Sequence, residues 1–557
     1  MTDAVRGGRS ASEWSVAGLN GSILVAVLAV AAASSGILNG FSFDDNPIIV
    51  KNLPLHTLAG FWRVFVTSYW PASFGSFLYR PLTSLGFAVQ WTIGGGSPLV
   101  FHAVSIALYA LCSVMLYRLA TKVASPRAAI LAGIAFAVHP VHVEAVANIS
   151  GQGELWVGLI LLSVANYYID LRQSRMPNGR DIAIISVAYL VACSFKEHAI
   201  VLPALLGMAE LTVVADSRKM MERLRSFAPL LLSMAVAGLI FVIVRRTILL
   251  GVADDSTSPL LRGAGFSARF FTMLSVVMEW VRLFLWPANM SADYSFSRLR
   301  VYQTVDVVML PGLLVLFGAG VIAVAQRKTL KGLTFGFSWA GVALLIPSNL
   351  IVLTGFVLAE RTLFLASAGV AICIGVGVDE LLKKFDESRA LTRRLATAVV
   401  VLLAAAGVGR SFTRNPVWHD NERLFRQTVE DVPGSGRAHW MLAAELFDHQ
   451  QRPEALEEMR LAVALGGMND FFMVGYAGDM FATARMCMTA LNYYARALDL
   501  RPGDVRVRVN AARCLIEVGK PADAKAVAMA GIARAGGDLR LQQVVAFADS
   551  VERSGLK

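Results

Sequence analysis

The sequence predicts an all-α protein in which a polytopic membrane domain is followed by a soluble helical repeat domain. Hydrophobic residues make up 56% of the 557 residues and charged residues only 16%, against about 25% charged residues in typical soluble proteins. Apolar runs near 18 residues or longer recur between Ile23 and Val408, but not from Arg414 to Lys557. With a mean hydropathy of +0.57, the chain is neither a purely soluble enzyme nor disordered.

Eleven segments are predicted to cross the membrane. The first, Gly21 to Leu38, follows Arg6 and Arg9 and has no small-residue cleavage site, which indicates a retained signal anchor with a cytoplasmic N-terminus. Two other apolar stretches, 82–96 and 268–286, are short or interrupted by charges, and we expect interfacial or re-entrant helices there. The remaining predicted spans are 99–120, 128–146, 152–170, 181–195, 199–214, 228–248, 306–326, 332–353, 361–382 and 394–410.

Basic residues fall in every second loop between these spans, which orients the domain. The same loops account for the net charge of +11, so we expect membrane lipids and no nucleic acid as partners. An odd number of spans places the C-terminal domain outside. Because the Ala-, Gly- and Arg-rich composition indicates a bacterium, the predicted location is the inner (plasma) membrane with a periplasmic C-terminal domain, lumenal if the host is eukaryotic.

The predicted domains are a membrane domain at residues 1–410, with its first outer loop at about 40–98, a linker at 411–433 and a repeat domain at 434–557. The run TALNYYARALDLRP has the spacing of the second helix of a tetratricopeptide repeat, with small residues where helices touch and a terminal proline. Similar positions recur one repeat earlier and later, which predicts about three repeats in an α-solenoid. The concave face of such an array commonly binds peptides, and a structural cap is the alternative.

Asp44 and Asp45, in FSFDDNPIIVKN, follow the first span. Ionisable residues near membrane spans are functional candidates because their burial is costly. Adjacent carboxylates can take a proton from an acceptor hydroxyl or bind a divalent cation. The alternative for such a pair is a helix cap or a solvated turn.

The motif HPVHVEAVANISGQGEL carries His139, His142, Glu144 and Glu154 at a span boundary. We interpret it as a polar cradle for a phosphate or a sugar. A zinc site is the weaker alternative, because the spacing is not that of metalloproteases and no third ligand is evident.

Three further motifs place cations at span ends: Arg80 in FLYRPLTSL, Lys196 beside Glu197 in SFKEHAIVLP, and Arg361 beside Glu360 in LAERTLFLASAG. Arginine binds phosphate bidentately, and the alternative is an ion pair with the adjacent glutamate. The predicted topology brings all these ionisable groups to the outer face. Nucleotides are cytoplasmic and no phosphate-binding G-x-x-x-x-G-K-[ST] loop is present, so a lipid-linked, already activated substrate fits best.

The five cysteines include no C-x-x-C pair. Cys112, Cys193 and Cys373 lie in apolar runs and are expected to be small core residues. Cys487 and Cys514 could pair outside the cytoplasm, but we favour helix-packing positions for both.

Taken in order, FDDNPIIVKN, YRPLTSL, HPVHVEAVANISGQGEL, the Lys-Glu pair of SFKEHAIVLP and AERTLFLASAG resemble the transmembrane and tetratricopeptide-repeat-containing protein O-mannosyltransferases, over nearly the whole chain. The resemblance implies a membrane domain of the GT-C glycosyltransferase fold. It also implies an inverting-type transfer of mannose or another hexose from a polyprenyl-phosphate donor to Ser or Thr of proteins on the periplasmic or lumenal side. The repeats would recruit the acceptor proteins.

The resemblance makes Asp44 and Asp45 the catalytic pair, one of them acting as general base or helping to hold a divalent cation (Mg, Mn or Ca). The residues expected to bind the donor phosphate are Arg80, His139, Lys196 and Arg361. The residues expected to orient the sugar, the acceptor or the cations are His142, Glu144, Glu154, Glu197 and Glu360. One departure is the GQGEL ending, where Gln152 replaces a basic residue of a GRAEL-like pattern.

Three other functions remain open at this point. A GT-C transferase could act on a lipid or polysaccharide acceptor, although the repeats favour proteins. A non-catalytic scaffold would assemble envelope complexes through its repeats. A lipid-carrier transporter would need polar residues at mid-membrane depth, whereas those here lie mostly at span ends.

Overall fold

The computed structural model describes residues 11–71, 78–214, 216, 218–250, 258–294, 299–386, 390–466, 468–535 and 537–554. Within these ranges the chain is helical and has no β-strand, which confirms the all-α prediction. The described α-helices are α1 (Ala11–Ala33), α2 (Pro81–Gly94), α3 (Pro98–Val123), α4 (Pro126–Ala137), α5 (Val143–Ala147), α6 (Gln152–Ser174), α7 (Gly179–Phe195), α8 (Leu202–Thr212), α9 (Met220–Ile248), α10 (Phe266–Leu285), α11 (Leu310–Ala325), α12 (Lys331–Ala343), α13 (Phe364–Asp386), α14 (Ala390–Arg414), α15 (Asn421–Asp431), α16 (Gly436–Asp448), α17 (Arg452–Gly466), α18 (Phe471–Thr483), α19 (Cys487–Leu500), α20 (Val505–Glu517), α21 (Pro521–Ala535) and α22 (Leu539–Ser554).

The chain forms two compact units. The membrane unit comprises Met1–Ala292 and Leu299–Asp420, and the repeat unit comprises Asp293–Arg298 and Asn421–Lys557. The segment predicted as a linker, 411–433, is mostly helical, because it contains the end of α14, a short 3₁₀ turn and all of α15. The apolar residues of α15 are buried on one side of the helix, which a flexible linker would not require.

Seven helical segments in the described ranges are long and apolar enough to cross a membrane. An eighth results if the bent pair Pro126–Ala137 and Pro140–Ala147, which turns by 47°, counts as one span. Within the described ranges, fewer helices meet these length and hydropathy criteria than the eleven spans predicted from the sequence. The seven segments are Gly18–Gly36, Pro98–Val123, Ile149–Ser174, Met221–Ile248, Val307–Ala325, Glu360–Lys384 and Arg394–Trp418.

The predicted spans at 181–195, 199–214 and 332–353 correspond to α7, α8 and α12, which have 17, 11 and 13 residues. Apolar residues continue through the turns that interrupt these helices, so a hydropathy window does not register the break. Non-helical backbone at membrane depth is tolerated where it is buried in protein. The stretches predicted not to cross form α2 and α10, and neither meets the criteria for a span.

The repeat unit stacks helices in consecutive pairs: α16 with α17, α18 with α19, and α20 with α21, followed by α22. The described part of this unit thus contains three consecutive helix pairs. The small residues mark the contacts: Ala443, Ala490 and Ala524 are fully buried, and a Cβ at Gly478 would lie 2.5 Å from the Tyr494 ring.

Cys487 and Cys514 form a disulfide between α19 and α20, with their Cα atoms 5.1 Å apart. The preference for two unpaired packing positions was therefore wrong. Both residues do lie in the helix interface, at 4% and 3% exposure. Sequence spacing identified the interface but not that the two sulfur atoms face each other across it.

Candidate functional site

The loop after α1 starts where α1 and α14 end side by side. The Asn415 side chain donates to the carbonyl of Ala32 (2.9 Å), and the Asn39 side chain donates to the carbonyl of Asn415 (2.9 Å). The backbone N–H of Gly40 donates to the carbonyl of His419 (2.9 Å). Because both asparagines are buried, water does not compete for these hydrogen bonds. They fix the start of the loop that contains Asp44 and Asp45, which we call the acidic loop.

Asp45 fastens the acidic loop to the turn between α5 and α6. Its carboxylate is fully buried and accepts backbone hydrogen bonds from Ser42 (3.3 Å), Ile149 (3.3 Å) and Ser150 (2.7 Å). Burial raises the pKa of Asp45 to about 7, and the backbone hydrogen bonds offset only part of this effect. Both carboxylate oxygens are occupied by main-chain donors, so Asp45 has the geometry of a positioning residue.

Asp44 faces Arg361, which lies in a short 3₁₀ turn before α13. Arg361 Nη2 donates to Asp44 Oδ2 at 3.1 Å. Glu144 holds the same arginine twice: Oε2 accepts its backbone N–H (2.9 Å), and Oε1 lies 3.1 Å from Nη1. The ring of Phe356 stacks 4.7 Å from the guanidinium carbon. The side chain of Asp44 remains 16% exposed, whereas Asp45 is inaccessible, so only Asp44 can meet a substrate.

Lys196 and His198 both approach Glu154, in the first turn of α6. Lys196 Nζ lies 2.5 Å from Glu154 Oε1, and His198 Nε2 lies 3.1 Å from Oε2. Both side chains come from the turn that follows the end of α7 at Phe195. Burial lowers the pKa of Lys196, and the carboxylate of Glu154 offsets part of this effect.

Arg80 and Glu197 form a bidentate ion pair, with Nε to Oε2 at 2.9 Å and Nη2 to Oε1 at 2.6 Å. Arg80 precedes α2, and its guanidinium carbon lies 5.1 Å from the Tyr69 ring centre. Burial opposes the charge of both groups. Their attraction outweighs it, because the pKa of Arg80 is raised and that of Glu197 is lowered.

These pairs form one group, which we call the charge cluster: Asp44, Arg80, Glu144, Glu154, Lys196, Glu197, His198 and Arg361. The pairs lie near one another, since the charges of Arg80 and Arg361 both act on Lys196. Three permanent cations face four carboxylates. The carboxylates hold the cations in place, and an arriving phosphate could take over some of their hydrogen bonds.

Besides Asp45, three predicted site residues lie outside the charge cluster, and each binds elsewhere in the membrane unit. His139 Nδ1 accepts the backbone N–H of Val141 (3.2 Å), and its Nε2 contacts the carbonyl of Phe284 (2.9 Å). Both ring nitrogens are therefore taken, and the geometry does not fit the predicted phosphate-binding role. The other two residues are His142, between Tyr109 and Ser367, and Glu360, which accepts the backbone N–H of Ser291.

Gln152 does not face the charge cluster. It exchanges amide hydrogen bonds with Gln90 (2.9 and 3.0 Å) and also donates to the carbonyl of Phe101 (3.0 Å) and to Ser105 (3.2 Å). The buried amide pair joins α2 to α6. Replacement of a basic residue here thus changes helix packing beside the cluster and not a direct phosphate contact.

The acidic loop does not fit a divalent cation held by both aspartates. Asp45 gives its oxygen atoms to three backbone donors, and Asp44 is paired with a cation. Within the described part of the chain, no group of three His, Cys, Asp or Glu side chains is arranged to hold a metal ion.

Sequence reasoning gave His198 no role, although it stands in the KEH run. Its position depends on the 3₁₀ turn Glu197–Val201, which brings the imidazole to the carboxylate of Glu154, the same group that binds Lys196. Periodicity could not foresee this turn inside an apolar segment.

Comparison with known proteins gives matches for both units. A tetratricopeptide repeat family profile matches residues 489–546. The chain is 26% identical over 475 residues to protein O-mannosyl-transferase TMTC4 of Mus musculus, covering 75% of this chain and 63% of that protein. It is 25% identical over 515 residues to protein O-mannosyl-transferase TMTC1 of Homo sapiens, covering 84% and 58%. The chain thus spans less than two thirds of the length of these relatives.

Among solved structures, the chain is similar to the oligosaccharyltransferase AglB from Archaeoglobus fulgidus in complex with an inhibitory peptide and a dolichol-phosphate. The TM-score is 0.38 at 11% identity, over 72% of this chain and 56% of that one. An oligosaccharyltransferase of the same organism tethered to an acceptor peptide gives a TM-score of 0.39 at 12% identity, over 72% and 55%.

Proposed function

Since the chain is a relative of the transmembrane and tetratricopeptide-repeat protein O-mannosyltransferases over most of its length, we propose that it is a membrane glycosyltransferase acting on proteins. It transfers a hexose, mannose in the first instance, from a polyprenyl-phosphate donor to a Ser or Thr hydroxyl. The relatives bear the name of the activity, and the residues of this chain supply a mechanism for it.

One observation carries the proposal. Five separate segments of the chain deliver charged side chains to one buried cluster, and Asp44 meets Arg361 across 317 positions of sequence. Burying charges is costly unless they are paired, and such groups cluster at functional sites. A site with an accessible carboxylate beside several fixed cations suits a reaction in which a hydroxyl loses a proton and a phosphate departs.

In the proposed reaction, the oxygen of the acceptor hydroxyl attacks C1 of the sugar. Asp44 accepts the proton that this hydroxyl loses. The bond between C1 and the phosphate oxygen breaks, and its electron pair leaves with the polyprenyl phosphate. Arg361 and Lys196 stabilise the charge that develops on this leaving group. Glu144 keeps Arg361 in place. Because the displacement is direct, it inverts the configuration at C1, and the mechanism contains no metal-dependent step.

Asp44 is preferred to Asp45 as the base because a base must reach the proton that it removes. Asp44 is partly exposed and bound through one oxygen to Arg361, whereas Asp45 is enclosed by three backbone donors. We assign Asp45 to holding the loop that presents Asp44.

The acceptor proteins are proposed to bind through the concave face of the repeat unit, on the periplasmic side. The disulfide between Cys487 and Cys514 supports this location, because disulfides persist in oxidising compartments and are rare in the bacterial cytoplasm. The N-terminus is then cytoplasmic, in agreement with the basic residues of the predicted inner loops.

The proposal is tested by glycopeptide mass spectrometry of the host envelope in a deletion strain. The strain is complemented with wild type, Asp44→Asn, or Asp170→Asn as the control. Asp170 is an exposed carboxylate paired with Lys122, outside the charge cluster. Wild type and the control should restore hexose on Ser/Thr peptides, and Asp44→Asn should reduce it at least about a hundredfold.

If no protein glycan depends on the wild-type gene, the protein acceptor is wrong and a lipid or polysaccharide becomes the acceptor to test. If Asp44→Asn restores the glycans fully, Asp44 is not the base. Complementation of every phenotype by Asp44→Asn together with loss of function on changing the repeat groove would favour a scaffold.

The periplasmic location has a separate test in intact cells. A membrane-impermeant maleimide should label Cys487 and Cys514 only after reduction, as read from the mass of a repeat-unit peptide. Protection that persists after reduction in intact but not in lysed cells would place the repeats in the cytoplasm, and labelling without reductant would contradict the disulfide.

A further inference from the structure

Two members of the charge cluster have buried side-chain nitrogen atoms without a hydrogen bond: Arg361, at Nη1 alone, and His198, at both ring nitrogens. His198 is the one whose hydrogen-bonding capacity is wholly unused. Both of its ring nitrogens are buried and make no hydrogen bond of acceptable geometry, although Nε2 lies 3.1 Å from Glu154 Oε2. The side chain is 12% exposed. A buried polar group without a hydrogen bond is costly, and it commonly marks a place where a ligand supplies the missing partner.

The groups around His198 explain why Glu154 alone does not satisfy it. Glu154, from α6, is shared with Lys196, whose ammonium lies closer at 2.5 Å. Glu197, the neighbouring residue, is taken by both donors of Arg80, which precedes α2. Every carboxylate that faces the imidazole therefore already has a stronger cationic partner.

We propose that His198 binds the phosphate of the lipid-linked donor, with Nε2–H donating to a phosphate oxygen. This inference rests on the proposed function, because it assigns a further binding residue to the same donor site. It separates His198 from His139 and His142, whose nitrogens are occupied within the fold.

The binding is expected to take up a proton. Burial lowers the pKa of His198, and Glu154 and Glu197 offset this effect only in part, while Lys196 and Arg80 add to it. Without donor, the imidazole is therefore neutral at neutral pH. A phosphate anion beside it favours the charged form and raises its pKa. Affinity must then fall as pH rises, because the proton needed for the bound state becomes scarcer.

The donor is a phosphodiester and keeps a single negative charge between pH 5 and 8, so any pH dependence comes from the protein. The probe is methyl farnesyl phosphate, a monoanionic diester, with farnesol as the uncharged reference. Binding to purified full-length protein in detergent is measured at pH 5.5 and pH 8. Wild type should bind the diester more tightly at pH 5.5 than at pH 8, by about tenfold, because the protonated imidazole binds the anion better.

Two variants and one control test the assignment. His198→Gln should weaken binding of the diester and remove its pH dependence, while farnesol binding stays unchanged. His198→Lys should restore binding at pH 8 without pH dependence, a rescue that a purely structural role would not produce. His449→Gln removes an exposed histidine of the repeat unit and should behave as wild type.

The two proposals fail in different ways. If wild type prefers the diester to farnesol but His198→Gln retains the affinity and the pH profile, His198 is not a phosphate ligand and the proposed function stands. If wild type shows no preference for the diester at either pH, the donor site itself is wrong, and both proposals fall. A His198→Gln protein that does not fold leaves the decision to the His198→Lys profile, where wild-type pH dependence would overturn the assignment.

Discussion

The charge cluster and a second group of charges around Arg172, both in the described part of the membrane unit, differ in how the nitrogen atoms of their central side chains are paired. In the second group, Arg172 donates to Glu210 through both Nε (3.0 Å) and Nη2 (2.9 Å), to Asp216 (2.8 Å) and to the sulfur of Met176 (2.9 Å). Tyr168 adds a hydrogen bond to Glu210. All three nitrogen atoms of the Arg172 guanidinium make hydrogen bonds. In the charge cluster the imidazole of His198 and Nη1 of Arg361 make none, and the carboxylate of Asp44 is accessible.

The two groups also differ in their origin along the chain. The partners of Arg172 lie 38 and 44 positions away, on neighbouring helices and their connection. The charge cluster draws on segments up to 317 positions apart. Both groups are buried, so burial of charge does not by itself identify a site. A site is distinguished by the donor or acceptor that the fold leaves available.

The largest effect on the transfer rate is expected for Arg361→Gln. If this guanidinium stabilises the departing phosphate, the transfer rate should fall by about a hundred- to thousandfold. The initial rate is measured with the donor and an acceptor peptide, per folded molecule as determined by size-exclusion chromatography. A rate within threefold of wild type would remove Arg361 from the proposed mechanism and make the two charge groups equivalent.

Arg172→Gln should do the opposite. It leaves Glu210, whose side chain is 5% exposed, buried without its main cation. Breaking a buried ion pair costs about 3–5 kcal/mol, so the unfolding midpoint in detergent should drop while the transfer rate per folded molecule is retained. Arg218→Gln, at a more exposed arginine, is the control with a smaller effect. Loss of activity without loss of stability would contradict a structural role for Arg172.

The smallest effect is expected for the contribution of the Arg80–Glu197 ion pair to stability, which should depend on pH. The pKa of Glu197 is lowered in the folded protein, so its stabilising effect is present above its ordinary pKa of 4.5 and is lost as pH falls through the folded value. Glu197→Gln should thus be less stable than wild type at pH 7, and the difference should narrow below about pH 4.5. A constant difference in thermal unfolding midpoint from pH 7 to pH 4 would contradict the ion pair.

Much of the site could be predicted because charges in apolar segments are conspicuous. Asp44, Glu144, Lys196 and Arg361 were singled out by their position at span ends, and the fold brings them together. The different roles of Asp44 and Asp45 could not be predicted. Asp44 and Asp45 are chemically identical neighbours, and only the backbone donors of the α5–α6 turn enclose one and leave the other accessible.

The histidines illustrate the same limit. His139 and His142 stood in the motif richest in polar residues, yet nearby carbonyl and hydroxyl groups satisfy them. His198 stood in a run of three ionisable residues and received no role. Which ring nitrogen meets a partner depends on distances of about an ångström, and hydropathy and spacing contain no information at that scale.

The sequence by itself determined the all-helical class, the division into apolar and repeat regions, and the residue types that a buried site could use. Periodicity and composition decide these because they act over many residues and tolerate local error. The tertiary structure decided which apolar segments break into short helices, that Cys487 and Cys514 meet, and which charges remain available. These outcomes depend on contacts between segments that are from 27 to 317 positions apart in the sequence, where a single turn determines which polar atoms are satisfied.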